Sequence, residues 1–155
     1  MSKSEFECTG PNGIDALLLD GPLLRAEITV PLQFVRYLHK NHLPAYSVVQ
    51  GIAQIDTGAA VSAVDASIFS ELDIPPVNRE MIQTAHGLFE LDCYNASVSF
   101  PQLDLPAMEL ALVPGGHIRA RVSSGPDMIM LIGRDLLQHF TFTYDGPNAR
   151  FTIMT

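Results

Sequence analysis

The chain has 155 residues, of which 47% are hydrophobic and 17% are charged, and its formal net charge is −8. That length supports one domain with a real hydrophobic core and is too short for two ordinary domains. A charged fraction below the usual share of about 25% fits a compact fold and argues against intrinsic disorder. The negative charge and the lack of a basic run argue against a nucleic-acid partner.

Targeting and redox signals are few. No stretch approaches the roughly 20 apolar residues of a membrane helix, and the first residues lack the layout of a signal peptide. The sequence therefore predicts a cytoplasmic protein with no membrane partner. Cys8 and Cys93 form no CxxC pair, so free thiols are expected. The histidines are scattered except for His39 and His42, and neither a metal nor a cofactor is expected.

The N-terminal third predicts an extension, two strands and a helix. Residues 1–13 are polar and contain a Gly-Pro-Asn-Gly run, so we predict a flexible extension followed by a single domain over residues 14–155. Segments 22–30 and 47–55 are rich in aliphatic and β-branched residues, which favours strands. Apolar residues between them predict a short helix.

The middle of the chain predicts a capped helix and a long hairpin. Asp65 occupies the N-cap position of a helix over residues 66–72, which ends before two prolines. Segments 79–84 and 89–100 alternate in hydrophobicity and predict a hairpin that bends near Gly87. A strand over residues 108–113 and a loop over 115–127 follow.

The last third predicts a buried strand and a closing hairpin. The apolar run 128–132 predicts the strand, and residues 134–139 predict one or two helical turns. A turn at Asp145-Gly146-Pro147-Asn148 joins strands over 141–144 and 150–154. The chain is thus expected to be mainly β with two or three short helices.

Asp56 stands at the most informative turn, Ile55-Asp56-Thr57-Gly58-Ala59. A carboxylate that follows an apolar strand and precedes a glycine can emerge from the edge of a sheet. Taken alone, the tripeptide is also ordinary turn chemistry, because Asp bonds nearby backbone groups and Gly tolerates positive φ. A second element is needed to decide between a structural turn and a functional one.

That element is the segment Leu131-Ile132-Gly133-Arg134-Asp135-Leu136-Leu137. Together with Asp56-Thr57-Gly58-Ala59, it resembles the retropepsin family of aspartic peptidases. The final hairpin at Tyr144-Asp145-Gly146-Pro147 looks like that of bacterial members. The resemblance, which runs from Ala45 to the C-terminus, implies an all-β acid-protease fold: a small closed barrel with short helices, assembled as a homodimer.

The chemistry of such a site requires two acids. One carboxylate takes a proton from water while another acid gives one to the peptide carbonyl oxygen. Two carboxyls about 3 Å apart share a proton and fill both roles. The chain has a single Asp-Thr-Gly, and Asp145-Gly146 lacks the threonine and an apolar-Gly partner strand. A second copy of the chain is therefore expected to supply the second Asp56 across a two-fold axis, and the apolar strand 150–154 is the candidate for a shared sheet.

The resemblance also implies roles for neighbouring residues in an aspartic endopeptidase that cleaves an extended peptide. Thr57 bonds across the axis, Gly58 lets backbone approach the substrate, and the hairpin tip forms a flap. Gly133 and Arg134 support the site. The predicted substrate-binding residues are Ala59, Ala60, Ala85, His86, Gly87, Leu88, Leu131 and Ile132.

Two departures from the retroviral pattern leave alternatives open. Residue 60 is alanine where retroviral members often have an acid that pairs with the motif arginine, so Arg134 needs Asp65 or a backbone carbonyl as partner. The hairpin tip has only Gly87 where viral flaps usually carry more glycines. Both favour a catalytically weak or inactive peptide-binding or scaffold module with the same dimer. A small-ligand β-barrel with a coincidental turn is the third interpretation.

Overall fold

The computed structural model describes residues 2–7, 16–122 and 125–155. Strands in these ranges are β1 (Lys3–Glu7), β2 (Leu23–Thr29), β3 (Val49–Ile55), β4 (Ala63–Asp65), β5 (Asn78–Thr84), β6 (Gly87–Ser99), β7 (Met108–Gly116), β8 (Met128–Ile132), β9 (Thr141–Asp145) and β10 (Arg150–Met154). Helices are α1 (Ala16–Leu19), α2 (Leu32–Lys40), α3 (Ala66–Glu71) and α4 (Arg134–Leu137), with a 3-10 turn at Gly146–Asn148. The predicted mainly β class is confirmed, and the described residues hold four short helices where two or three were expected.

Two sheets carry these strands. The larger sheet has the order β2-β3-β8-β4-β7-β6-β5, and β2 also pairs with β6. The pairing order therefore returns to its start through six strands, and β5 lies outside this ring on the edge of β6. The smaller antiparallel sheet has the order β1-β10-β9. None of the helices in the described ranges is long and apolar enough to cross a bilayer.

The core holds residues of both sheets and of the helices α1, α3 and α4. Leu24, Ala26 and Ile28 are buried at every second position of β2, as expected for a strand with one face in a core. Along β8, Ile129 and Met130 are buried consecutively, which fits a strand whose two faces are both covered. This strand was predicted with the same bounds.

The N-terminus departs from the sequence-based prediction. Lys3–Glu7, which we predicted to belong to a flexible extension, instead form β1 and pair antiparallel with β10. The Phe6 ring stacks on the buried Phe151 ring with 4.8 Å between centroids, so one apolar side chain anchors this polar segment. The predicted extension is wrong for these five residues, and residues 8–13 lie outside the described ranges.

The closing hairpin leaves the C-terminal strand without a free edge. β10 pairs with β1 on one side and with β9 on the other. A sheet shared with a second copy could therefore extend only from β1 or β9. Asp145 has the structural role predicted for it, because it accepts hydrogen bonds from Asn148 and then Arg150, which lower the pKa of its carboxyl.

Asp65 ties β4 to the segment that follows β7. Its Oδ1 caps α3 by accepting hydrogen bonds from the Ser67 amide at 3.1 Å and the Ser67 hydroxyl at 2.5 Å. Its Oδ2 accepts the amides of Ile118 at 3.0 Å and Arg119 at 2.8 Å. Burial raises the pKa of this carboxyl, but the hydrogen bonds, that of the Ser67 hydroxyl first, outweigh burial and leave the pKa below its usual value.

We expect Asp65→Asn to lower the free energy of unfolding by about 1–3 kcal/mol at neutral pH, because its NH₂ group would face amide donors. The folded-state pKa of Asp65 is depressed, so the stability it contributes is present above the unfolded pKa of about 3.9 and is lost as pH falls through the folded value. Urea unfolding of both proteins from neutral pH to about pH 3 should show the difference narrowing at the acid end. A difference that stayed constant with pH would contradict this account.

Candidate active site

The connection between β3 and β4 has to cross the end of β8. β8 lies between these two strands, parallel to β3 and antiparallel to β4. Residues 56–62 join β3 to β4, so they pass over the residue that follows β8. We call residues 56–62 the crossover. Asp56 is its first residue, and its position is therefore set by the end of β8.

Gly133 is the residue beneath the crossover. A Cβ atom at this position would lie 2.5 Å from the carbonyl carbon of Val61 and 2.8 Å from the amide nitrogen of Ser62. Both neighbours are backbone atoms, which cannot move aside as a flexible side chain can. The backbone of Gly133 is extended, with φ −86° and ψ −178°, so glycine is required here by space and not by its dihedral freedom.

The Arg134 side chain holds the tip of the crossover. Its Nη1 donates to the carbonyl oxygens of Thr57 at 2.7 Å and Gly58 at 3.0 Å. Of the two partners that the sequence left open, the backbone carbonyl is the one observed, and Asp65 bonds elsewhere. With alanine at residue 60, Arg134 bonds to backbone carbonyls of the crossover and not to an acidic side chain at that position.

Backbone amides at the start of α4 hold the rest of the crossover. The amide of Arg134 donates to Ala59 O at 3.0 Å, and the amide of Asp135 donates to Ala60 O at 3.2 Å. These amides belong to the first turn of a helix, which cannot pair them internally. Together with the Arg134 guanidinium, they give donors to four consecutive carbonyls, residues 57–60.

Ser62 and Asp135 form a second anchor, beneath the far end of the crossover. The Ser62 hydroxyl donates to Asp135 Oδ1 at 2.6 Å and accepts the Gly133 amide at 2.9 Å. Asp135 Oδ1 also accepts the amides of Ser62 and Leu136, each at 2.9 Å. We did not select these two residues from the sequence. Asp135 stands in the second motif, whereas Ser62 carries no sequence signal because its role depends on the crossover.

Asp56 is held at one carboxylate oxygen and open at the other. Its amide donates to Ile132 O at 2.9 Å, which fixes the residue to the last residue of β8. Its Oδ1 accepts the Gly58 amide at 2.9 Å. Its Oδ2 has no hydrogen-bond partner within the described ranges. Asp56 is half-buried and Thr57 and Gly58 are exposed, so the free oxygen can meet water, substrate or a second carboxyl.

The remaining predicted residues near the loop divide into rim and support. Ala59 is half-buried and Ala60 is exposed, so both can line the edge of a cleft. Ile132 is only 2% exposed, and its carbonyl supports Asp56 from below. Its side chain therefore belongs to the core rather than to a cleft wall. Leu131, half-buried, lies between Gln54 and Ala63 in the sheet.

The predicted hairpin is formed by β5 and β6, with its turn at Ala85 and His86. Thr84 Oγ1 accepts the His86 amide at 3.1 Å and donates to Gly87 O at 3.0 Å, which fixes the turn. Gly87 has φ +127°, a conformation that glycine adopts readily. Among the described strands, the half of β6 nearest this turn pairs only with β5, so the hairpin end forms a two-stranded arm.

The two faces of this arm differ in exposure. Half-buried Glu80, Ile82 and Thr84 alternate along β5 with exposed residues. Ile82 lies opposite Phe89, whereas Leu88 lies opposite the exposed Gln83 on the other face. Ile82 and Phe89 are therefore better placed than Leu88 to contact whatever the arm covers. A shift of one residue in the pairing of β5 with β6 would exchange the two faces, so the sequence alone could not make this assignment.

Other chemistry has little support in this part of the protein. Cys93 is fully buried, and this burial raises the pKa of its thiol, which disfavours the thiolate that a nucleophile needs. Across the described ranges, no three His, Cys, Asp or Glu side chains come together as metal ligands. Cys8 lies outside those ranges.

We expect Gly133→Ala to lower the free energy of unfolding by about 2–3 kcal/mol, because the new methyl group would overlap the backbone of the crossover. Gly116→Ala is the matched control. Its Cβ would lie 3.3 Å from the Ile118 side chain, which can shift, and a change within about 1 kcal/mol is expected. Guanidinium unfolding of the three proteins measures both effects. Equal stability of the Gly133 variant and wild type would contradict the close approach.

Comparison with known proteins places the chain near two proteases of solved structure. No family model and no curated protein matched the chain. The Simian foamy virus (mac) protease matches with a TM-score of 0.44 and 18% identity over 76% of this chain and 92% of its own. A retropepsin-like aspartic protease from Rickettsia conorii matches with a TM-score of 0.44 and 17% identity over 98% of this chain and 91% of its own. Superpositions this loose carry no functional assignment, which depends instead on the crossover and its two motifs.

Proposed function

We propose that the chain is one half of a homodimeric aspartic endopeptidase, in which Asp56 of each copy contributes one carboxyl to a shared site. The hydrogen bonds of Asp56, and of the loop that carries it, support this proposal. One carboxylate oxygen is fixed by the Gly58 amide, the other is open, and the loop that carries them is held by donors to four successive carbonyls. A loop with its polar groups already paired needs no reorganisation when charge develops beside it.

A second carboxyl has to come from another copy. Asp145, the other candidate in the sequence, accepts bonds from Asn148 and Arg150 and serves its own turn. Asp65 and Asp135 are similarly engaged with backbone amides. A two-fold axis beside the crossover tip would bring the two Asp56 carboxyls together. Thr57, whose hydroxyl makes no hydrogen bond within the described ranges, then lies where it can bond across that axis.

The reaction follows from a pair of carboxyls that share one proton. The ionised carboxyl takes a proton from a water molecule as the water oxygen attacks the peptide carbonyl carbon. The protonated carboxyl gives its proton to the carbonyl oxygen, which produces a neutral tetrahedral diol. The carboxyl that took the proton from water gives it to the amide nitrogen, while the other carboxylate takes a proton from a diol hydroxyl. The C–N bond then breaks, and both carboxyls return to their starting states. No cofactor takes part.

An extended peptide is the substrate that this arrangement fits. Thr57 and Gly58 are exposed and leave room for a peptide backbone to approach, and Ala59 and Ala60 give an apolar rim. The β5–β6 arm acts as the flap, with Ile82 and Phe89 toward the peptide. Strand-like hydrogen bonds and exclusion of water would accompany its closure.

The alternative is a dimeric peptide-binding module without useful turnover. Ala60 and the single glycine of the hairpin turn favour it, whereas the open oxygen of Asp56 favours the enzyme. Incubation with a diverse peptide library over several pH values, read by mass spectrometry with and without a statine-type inhibitor, separates the two. Inhibitor-sensitive cleavage supports the peptidase, and peptide capture without cleavage supports the module.

We expect Asp56→Asn to abolish peptidase activity, by at least about 100-fold, because an amide can neither take a proton from water nor share one. The fold should persist, since Asn Oδ1 can still accept the Gly58 amide. Asp104→Asn, at an exposed position, is the control and should keep full activity. Peptide hydrolysis and thermal unfolding of the three proteins measure this. Activity of the Asp56 variant near that of wild type would sink the assignment.

The faces of the arm give a separate prediction. Phe89→Ala should lower kcat/KM about tenfold, because a lost apolar contact with the substrate costs on the order of 1–3 kcal/mol. Leu88→Ala, on the opposite face, should change kcat/KM by less than about twofold. Steady-state kinetics on one peptide decide between them. A larger effect at Leu88 than at Phe89 would reverse the assignment of the faces.

A further inference from the structure

Helix α1 is held beside the crossover by hydrogen bonds from the end of β3. The carbonyl of Pro22 accepts the Ile55 amide at 2.9 Å, and the carbonyl of Asp20 accepts the Gln54 side-chain amide at 2.6 Å. Both anchors lie within two residues of Asp56. Because α1 ends one residue before Asp20, it lies against the same end of the β2–β3 pair as the crossover.

The exposed side of α1 is apolar. Leu17 is 1% exposed and anchors the helix in the core, whereas Leu18 is 75% exposed and Leu19 is 61% exposed. These are the two most exposed large hydrophobic residues in the described ranges. Val61, on the crossover itself, is 44% exposed. Leu18, Leu19 and Val61 therefore form an exposed apolar surface beside the crossover, the kind of surface that interaction sites use.

We propose that a second copy of the chain covers α1, with Leu18 and Leu19 forming an apolar flank of the dimer beside the paired Asp56 carboxyls. This inference rests on the proposed function. If the two carboxyls meet at about 3 Å, the two crossovers touch and the elements tethered to them lie close to the axis. The small residues at the crossover tip cover little area, whereas a stable interface buries about 800 Å² on each partner.

Symmetry strengthens the contribution of each leucine. A two-fold axis makes the contact isologous, so each side chain occurs twice in the interface and a substitution acts at both positions. The axis also explains why Leu18 and Leu19 are exposed, although the preceding residue, Leu17, is almost fully buried in the core. This contact does not require strands of the two copies to pair at a sheet edge. It is therefore consistent with β10, whose two sides are already paired with β1 and β9.

A competing apolar surface lies at the other end of the β2–β3 pair. Leu43 is 46% exposed and Val48 is 49% exposed, and both precede β3. β3 runs for seven residues before Asp56, a distance of about 20 Å along a strand. A second copy bound there could not bring the two Asp56 carboxyls together. These residues therefore provide a matched control.

The experiment compares Leu18→Asp/Leu19→Asp with Leu43→Asp/Val48→Asp in the full chain. Sedimentation velocity over a concentration series gives the dimer dissociation constant, and peptide hydrolysis over the same series gives specific activity. We expect Leu18→Asp/Leu19→Asp to raise the dissociation constant of the dimer at least 100-fold. This variant should therefore be active only at high protein concentration. The control pair should stay within about twofold of wild type. Leu18→Ala/Leu19→Ala, which adds no charge, should give a smaller increase of about tenfold. Thermal unfolding measured below the dissociation constant, where the chain is monomeric, should be unchanged.

Three results would overturn the inference. A wild-type chain that is dimeric and active, and whose α1 variants associate as wild type does, overturns the α1 contact and leaves the peptidase standing. Dissociation of the dimer by the Leu43 and Val48 changes alone places the interface elsewhere. A wild-type chain that is monomeric and inactive at all concentrations overturns the proposed function and the inference together.

Discussion

The contact of backbone on backbone between the crossover and Gly133 is the constraint on which the site depends. Two strands that flank a third can be joined only over its end, and the joining chain then lies against whatever residue follows that strand. Any side chain there would meet Val61 and Ser62 at 2.5–2.8 Å. Glycine permits the approach, and the approach places Asp56 directly after β3, with its amide on the carbonyl of Ile132.

Hydrogen bonds distinguish Asp56 from the carboxylates that hold the fold. Asp65 and Asp135 accept several backbone amides each, and Asp145 accepts side chains within its own turn. Such groups stabilise the fold because they satisfy donors that would otherwise be unpaired. Asp56 accepts one amide at Oδ1 and retains an open oxygen in a half-buried setting. Acceptor capacity that the fold leaves unused is what a catalytic carboxyl requires.

In the proposed peptidase, the same arrangement would connect catalysis to assembly. Asp56 would supply one half of an acid–base pair, and a second copy would supply the other half. The C-terminal strand cannot serve as the joining edge, since β1 and β9 already occupy both of its sides. The apolar side chains of α1, fixed beside the crossover through Pro22 and Asp20, are the surface that we propose a second copy covers.

Local chemistry was determined by the sequence alone: the Asp56 turn, the strand before Gly133, the Asp65 cap of α3 and the bend at Gly87 all depend on residues close to one another in the chain. Their elements were predicted within a few residues. The tertiary structure decided what depends on distant pairing. Phe6 meets Phe151 across nearly the whole chain, Ser62 acquires its role only when the crossover meets Asp135, and strand register pairs Phe89 with Ile82. A sequence pattern indicates the hydrophobic period of a helix or strand. Contacts between distant segments depend on the order of strands in the sheet, and the packing of the whole core sets that order.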